Sequence, residues 1–186
     1  LCPRATVVIM AKPLHPSPPV LSRDGVSLTV ANTRRNLPEA LSPQIKSTNF
    51  LNNILAKRES TAAGTFDSLF LNWKDELTEC TVSNLFFISG KTLHTPALDC
   101  GILDGITRTI VMTLAQEEGV PVREGHYHLA DLQRAEECFL TNTSMEIIPV
   151  NRVDSFAIGD GRPGSLTRRL QTRFADSRTR FLEPPS

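Results

Sequence analysis

The sequence predicts an α+β fold, on three observations. Short apolar runs of strand character recur along the chain, amphipathic helical stripes are interspersed among them, and polar turns separate them. The 186 residues are enough to bury one substantial core. A hydrophobic content of 40% with 22% charged residues is ordinary for a globular domain.

The elements follow in order. Residues 6–10 (Thr-Val-Val-Ile-Met) are β-branched and apolar, and predict a buried strand. The proline-rich stretch 13–19 reads as a connection, because proline removes a donor and fixes φ. Residues 26–30 alternate apolar and polar, as a half-buried strand does, and an irregular piece, 32–43, follows. A helix is expected over 49–63, with Phe50, Leu51, Ile54, Leu55 and Ala62 as its apolar stripe and Gly64 at its C-terminal cap. Residues 69–71, 77–79, 84–88 and 93–95 read as short strands separated by the turns 73–76 and 89–91. The next helix is expected over 106–118, with Ile106, Ile110, Val111, Leu114 and Ala115 on one face, and is stopped by Gly119 and Pro121. The remainder alternates: strand 122–124, a helix near 129–135, strands 138–140, 147–150 and 156–158, and a basic helix over 163–178. Strand pairing is expected to be mostly local.

Charge and cysteine usage exclude several function classes. Twenty basic residues balance twenty acidic ones, so no electrostatic footprint for nucleic acid or an anionic membrane exists. No apolar run approaches the roughly 20 residues that span a bilayer. Leu1-Cys2-Pro3-Arg4 lacks the zones of a signal peptide and is not a natural translation start, which suggests a trimmed chain. Cys2, Cys80, Cys100 and Cys138 form no C-x-x-C pair and read as buried, reduced thiols of a cytoplasmic protein. His126-Tyr127-His128 would place two imidazoles on one strand face. With no third ligand near in sequence, a metal is the minority reading.

Four features carry chemistry. Lys46, in Ile45-Lys46-Ser47-Thr48-Asn49-Phe50-Leu51, stands just ahead of a helix beside an apolar residue; partial burial disfavours its ammonium form and favours a nucleophilic amine. Glu79, at a strand end before Cys80-Thr81-Val82-Ser83-Asn84, can face a cavity and hold a protonated ring nitrogen. Leu103-Asp104-Gly105-Ile106-Thr107-Arg108 opens a helix, whose unpaired N–H groups and dipole suit a phosphate. Thr141-Asn142-Thr143-Ser144, beyond a strand, is a second phosphate donor. Each has a plain alternative: a solvated lysine, a solvated glutamate, an ordinary helix start, a turn. Gly159-Asp160-Gly161-Arg162-Pro163-Gly164 spells a dinucleotide fingerprint, but too little chain follows for the strand and acid that fingerprint requires.

Jointly, from about Arg4 to Arg173, these motifs resemble the class IV (fold type IV) pyridoxal-phosphate enzymes: branched-chain and D-amino acid aminotransferases and aminodeoxychorismate lyases. The resemblance implies that most of the chain is the large C-terminal domain of that fold, with the small N-terminal domain mostly absent. It implies an end of that domain, a connection and first strands over 1–45, a catalytic domain over 46–178 and a tail over 179–186. It assigns pyridoxal 5'-phosphate as cofactor, Lys46 as its covalent holder and the catalytic residue, and Glu79 as the acid on the pyridine nitrogen. Leu103 packs near the ring; Gly105, Ile106 and Thr107 form the phosphate cup, with Asn142 and Thr143 opposite. Phe50 stands where the family often has a tyrosine whose hydroxyl contacts the ring oxygen.

The implied activity is transfer of an amino group between a branched-chain or D-type amino acid and a 2-oxo acid. The alternatives are a lyase releasing pyruvate and 4-aminobenzoate, and a non-catalytic core. The stretch 142–150 does not separate aminotransferase from lyase. A cytoplasmic homodimer is implied, with no metal, nucleic acid or membrane.

Overall fold

The computed structural model describes residues 4, 6–13 and 17–180. Their elements run α1 (Pro19–Asp24), β1 (Val26–Val30), α2 (Leu51–Ala63), β2 (Asp67–Leu71), β3 (Leu77–Cys80), β4 (Asn84–Ser89) and β5 (Thr92–Pro96). A 3-10 turn (Leu98–Cys100) leads to α3 (Ile106–Glu117), β6 (Val122–Gly125), α4 (Leu129–Gln133), β7 (Glu137–Asn142), β8 (Glu146–Val153), β9 (Phe156–Ala157) and α5 (Ser165–Ser177).

The strands form one sheet in the order β3-β2-β1-β8-β7-β4-β5-β6, with β9 on β8. An additional β3–β4 pairing, Glu79 opposite Asn84, joins the path back on itself, so six strands close into a ring. Tight turns make the antiparallel pairs β2–β3, β3–β4, β4–β5 and β7–β8. β1 is different: it runs parallel to both β2 and β8, with Val26 opposite Val150. Pairing is therefore not mostly local, since β1–β8 and β4–β7 join distant segments. Only such pairs close a ring and bury β1 on both edges.

Alternation along the strands sorts the core into two layers. Leu85 and Phe87 of β4 pack with Leu28, Leu69, Leu77, Leu140 and Ile148. Phe86 and Ile88 point the other way, with Phe139 and Ile147, onto Val111 and Leu114 of α3 and Leu166 and Leu170 of α5. The Phe86 and Phe139 rings stack with centroids 5.0 Å apart. Burying each such ring stabilises the fold by about 1.5–3 kcal/mol.

Three expectations are corrected. Residues 6–10 form no strand; their side chains lie exposed, Ile9 at 91%, because no described strand pairs with them. The second helix starts at Leu51, and its apolar residues Leu51, Ile54 and Leu55 face outward. Its buried face is Asn53, Ala56 and Ser60, because hydrogen bonds rather than apolar area dock it: Asn53 donates to Thr81 O (2.7 Å), and Ser68 Oγ donates to Ala56 O (2.6 Å). His126 and His128 lie beyond β6 and part company, His128 Nδ1 meeting Asp75 O at 3.1 Å.

The other elements agree with the sequence to within a few residues, and Gly64 ends α2 in the left-handed region at φ 66°. α1 has no counterpart among the elements expected from the sequence. Cys80, Cys100 and Cys138 are buried free thiols. The Cys2 thiol, the middle of the proline-rich connection and most of the expected tail lie outside the described residues. Among the described residues no helix is long and apolar enough to cross a membrane.

Candidate active site

A cleft of about 370 Å³ opens where β3, β4 and β7 meet the start of α3. Two short turns border it: 81–83, joining β3 to β4, and the turn from β7 to β8, which contributes Thr143. The irregular segment before α2 supplies the facing wall with Arg35, Ile45, Lys46 and Phe50. Lys46, Phe50, Glu79, Leu103, Gly105, Ile106, Thr107, Asn142 and Thr143 all line this one cavity, although they are spread over nearly a hundred residues of sequence.

Glu79 is the electrostatic centre. It is buried on β3, ion-paired with the equally buried Arg35. Its Oε2 accepts from Asn84 Nδ2 (3.0 Å) and from the Leu103 backbone amide (3.0 Å). Burial pushes its carboxyl up to about 7, against the pull of Arg35, the Leu103 amide, Lys46 and Arg108. Arg35 is itself fixed by Gly101 O (3.0 Å) and Asn53 Oδ1 (3.1 Å), so α2, the 3-10 turn and β3 are tied through one guanidinium. Lys46 lies in the turn region ahead of α2 and is exposed, not partly buried as its apolar neighbour suggested, because Ile45 is exposed as well.

The phosphate-type donors sit across from it. α3 begins at Ile106 with Gly105 as its N-cap, and no side chain caps it, so its first amides face the cleft. Gly105 is required by close approach: a Cβ there would lie 2.1 Å from Asn84 Oδ1. Asn84 has little freedom to yield, since its Nδ2 also donates to Leu103 O (2.8 Å). Thr107 is buried in the first turn of α3. On the far side Asn142 Oδ1 accepts from the Ser144 and Met145 amides (3.0 and 2.8 Å), shaping the turn that carries Thr143. Next to it Thr141 Oγ1 is buried with no hydrogen-bond partner.

The glycine-rich stretch 159–164 is a different case. The start of α5 that follows it is filled by Glu137, whose carboxylate accepts from the Leu166 amide (3.0 Å), the Thr167 amide (2.7 Å) and Thr167 Oγ1 (2.6 Å). An internal carboxylate thus occupies the place of a ligand phosphate. Sequence reasoning missed Arg35 and Asn84, and it named Thr141 only as one member of a hydroxyl-rich loop. Arg35 lies in a segment with no periodicity, and nothing local in Asn-Thr-Arg-Arg-Asn marks the second arginine as buried.

Comparison with known proteins agrees with this geometry. Residues 1–153 match the family described as amino-transferase class IV. A Methanocaldococcus jannaschii protein assigned as a branched-chain-amino-acid aminotransferase is 37% identical over 180 residues, 97% of this chain and 62% of that protein. D-alanine aminotransferase of Listeria monocytogenes is 38% identical over 73% of this chain and 47% of its own length. Aminodeoxychorismate lyase of Bacillus subtilis is 35% identical over 90% of this chain and 56% of its own length. The chain thus spans about half to three fifths of the curated relatives it matches. The branched-chain amino acid aminotransferase of T.th., solved with pyridoxamine 5'-phosphate, superimposes with a TM-score of 0.81 at 29% identity, over 84% of this chain and 51% of that one. A ring of strands with an uncapped helix start and a buried glutamate at its mouth, matched over most of its length by these enzymes, belongs to the class IV aminotransferase family.

Proposed function

We propose that this chain is the cofactor-binding unit of a pyridoxal-phosphate-dependent aminotransferase, with residues 46–178 as its catalytic domain. The observation that carries the reading is the convergence, in one cleft, of an amine, a buried carboxylate and an uncapped helix start. The donor set fits the cofactor. The orphaned Thr141 hydroxyl and the uncapped amides of α3 want an anionic partner, and Glu79, whose buried carboxyl favours its neutral form, would regain its charge beside a cationic ring nitrogen.

In this reading Lys46 Nζ holds pyridoxal 5'-phosphate covalently, and Glu79 holds the proton on the pyridine nitrogen. Leu103 packs on the ring beside Phe50. Gly105, Ile106 and Thr107 take the phosphate from the α3 side, and Asn142 and Thr143 from the β7 side. Bound there, pyridoxal phosphate supplies an electron sink for the bonding electrons at the substrate's Cα. Lys46 Nζ would be the base that takes the proton from Cα. Arg35, Asn84 and the Leu103 amide orient Glu79, so that its charge meets the ring nitrogen without rearrangement. The proposed substrates are a branched-chain or D-type amino acid and a 2-oxo acid. The proposed assembly is a cytoplasmic homodimer, a reading that the outward apolar face of α2 supports.

Two measurements test this. After incubation with pyridoxal phosphate and reduction with borohydride, peptide mapping should find the pyridoxyl group on Lys46. A label on Lys57, Lys74 or Lys91 would refute the assignment. Amino donors supplied with 2-oxoglutarate should yield the matching keto acids; pyruvate and 4-aminobenzoate released from aminodeoxychorismate, with no 2-oxo acid acceptor, would mark a lyase instead.

A further inference from the structure

Three side chains that the cleft does not use converge at the start of β3. Glu76, the residue before β3, and Cys100, the last residue of the 3-10 turn, are both buried, while His126, the first residue after β6, is 45% exposed on its side chain. His126 Nδ1 lies 3.1 Å from Glu76 Oε1 and 3.6 Å from Cys100 Sγ. One ligand atom from each residue lies within 4.8 Å of the other two.

Tetrahedral zinc, with bonds of about 2.3 Å to sulfur and about 2.0–2.1 Å to nitrogen or oxygen, holds its N and O ligands about 3.3 Å apart and its N and S ligands about 3.6 Å apart. The two separations here already lie at or near those values. We propose that Glu76, Cys100 and His126 form a binding site for one Zn2+ ion, with solvent in the fourth position on the exposed side of His126.

The surroundings are those of a metal site. Asp99 Oδ2 lies 3.3 Å from His126 Nε2, placed to accept that nitrogen's proton once Nδ1 binds the metal. Asn72 Nδ2 donates to Glu76 Oε2 (2.7 Å) and to Cys100 O (3.2 Å), holding two of the ligands in register. On binding, the Zn–S bond forms as the Cys100 thiol proton leaves to solvent; no electron changes hands. The ion would clamp β3 to the turn before Gly101, whose carbonyl holds Arg35, so it acts on the frame of the cleft rather than inside it.

The test is a titration of the metal-free 186-residue chain with Zn2+, and with Co2+ as its spectroscopic substitute. One equivalent should bind, with a thiolate-to-cobalt charge-transfer band and a Zn2+-dependent rise in Tm. Cys100→Ser should abolish the band. His126→Gln, at an exposed position that leaves the fold intact, should weaken Zn2+ by about 100-fold or more, and Asp99→Asn by roughly 10- to 100-fold. His128→Gln should change nothing, since its ring turns to Asp75 O. The proposal is overturned if no equivalent binds, if the cobalt band is missing, or if His126→Gln binds Zn2+ as tightly as the parent chain.

Discussion

Two of the three long helices that pack on the sheet, α3 and α5, start alike and end up opposite in purpose. Each follows a glycine N-cap, and at each glycine a Cβ would collide with a polar side chain: Asn84 at Gly105, Glu137 at Gly164. At α5 the intruder is a carboxylate, and it takes the helix's free donors for itself. At α3 the intruder is an amide that turns away to hold Glu79, leaving the helix start bare. One charge placed on a neighbouring strand separates a structural helix start from one that can receive an anion.

This contrast is open to attack at four points. The largest effect is expected at the filled end: Glu137→Ala strips three donors of a charged acceptor and should lower unfolding free energy by about 3 kcal/mol in chemical denaturation, with cofactor affinity unchanged. At the open end Gly105→Ala should do the reverse. Displacing Asn84 should weaken pyridoxal phosphate binding about 100-fold by absorbance titration, with a smaller loss of stability.

The third point is pH. Glu79 in the folded chain is raised to about 7 from an ordinary 4.5, so its neutral form is the favoured one. Stability is then greatest below the ordinary value and is lost as pH rises through 4.5 towards 7, by roughly 3 kcal/mol. Denaturation curves at pH 5 and pH 8 should therefore differ more for the parent chain than for Glu79→Gln; equal differences would show that Glu79 is not raised. The smallest effect concerns the unpartnered hydroxyl. Thr141→Val should stabilise the ligand-free chain by about 1 kcal/mol, because a buried orphan is removed, while weakening cofactor binding. A destabilised Thr141→Val would mean that the hydroxyl is already satisfied.

Much of this was legible in the sequence, and what was not has definite causes. Elements with a strong local signal, such as β4 with its run Asn84 to Ile88 and α3, lie where the pattern puts them, within a residue, although Ile106 of the α3 stripe is 77% exposed in the cleft rather than packed on the sheet. Periodicity gives an element and its apolar face but not what lies opposite. The stripe of α2 thus faces outward, and the apolar residues 6–10 form no strand. The lining residues were found by motif order, since a turn or helix start carries a local signature. Arg35 carries none, being defined by a partner 44 residues away, and that the Thr141 hydroxyl lacks a partner shows only in the fold. The cluster of Glu76, Cys100 and His126 was invisible for the same reason, its members lying on three separate connections.

The position of β1 has a consequence in time as well as in space. Its backbone is held by Asp154, 124 residues further on, and one of its two edges belongs to β8. A ribosome delivers β1 early and β8 late, so most of the chain must emerge before the ring can shut. Until then β1 offers a bare edge, and the strand pairing that completes the ring is also the one of greatest sequence separation. Synthesis that halts before Val153 therefore yields a polypeptide whose helices and hairpins can form, but whose barrel has a missing stave.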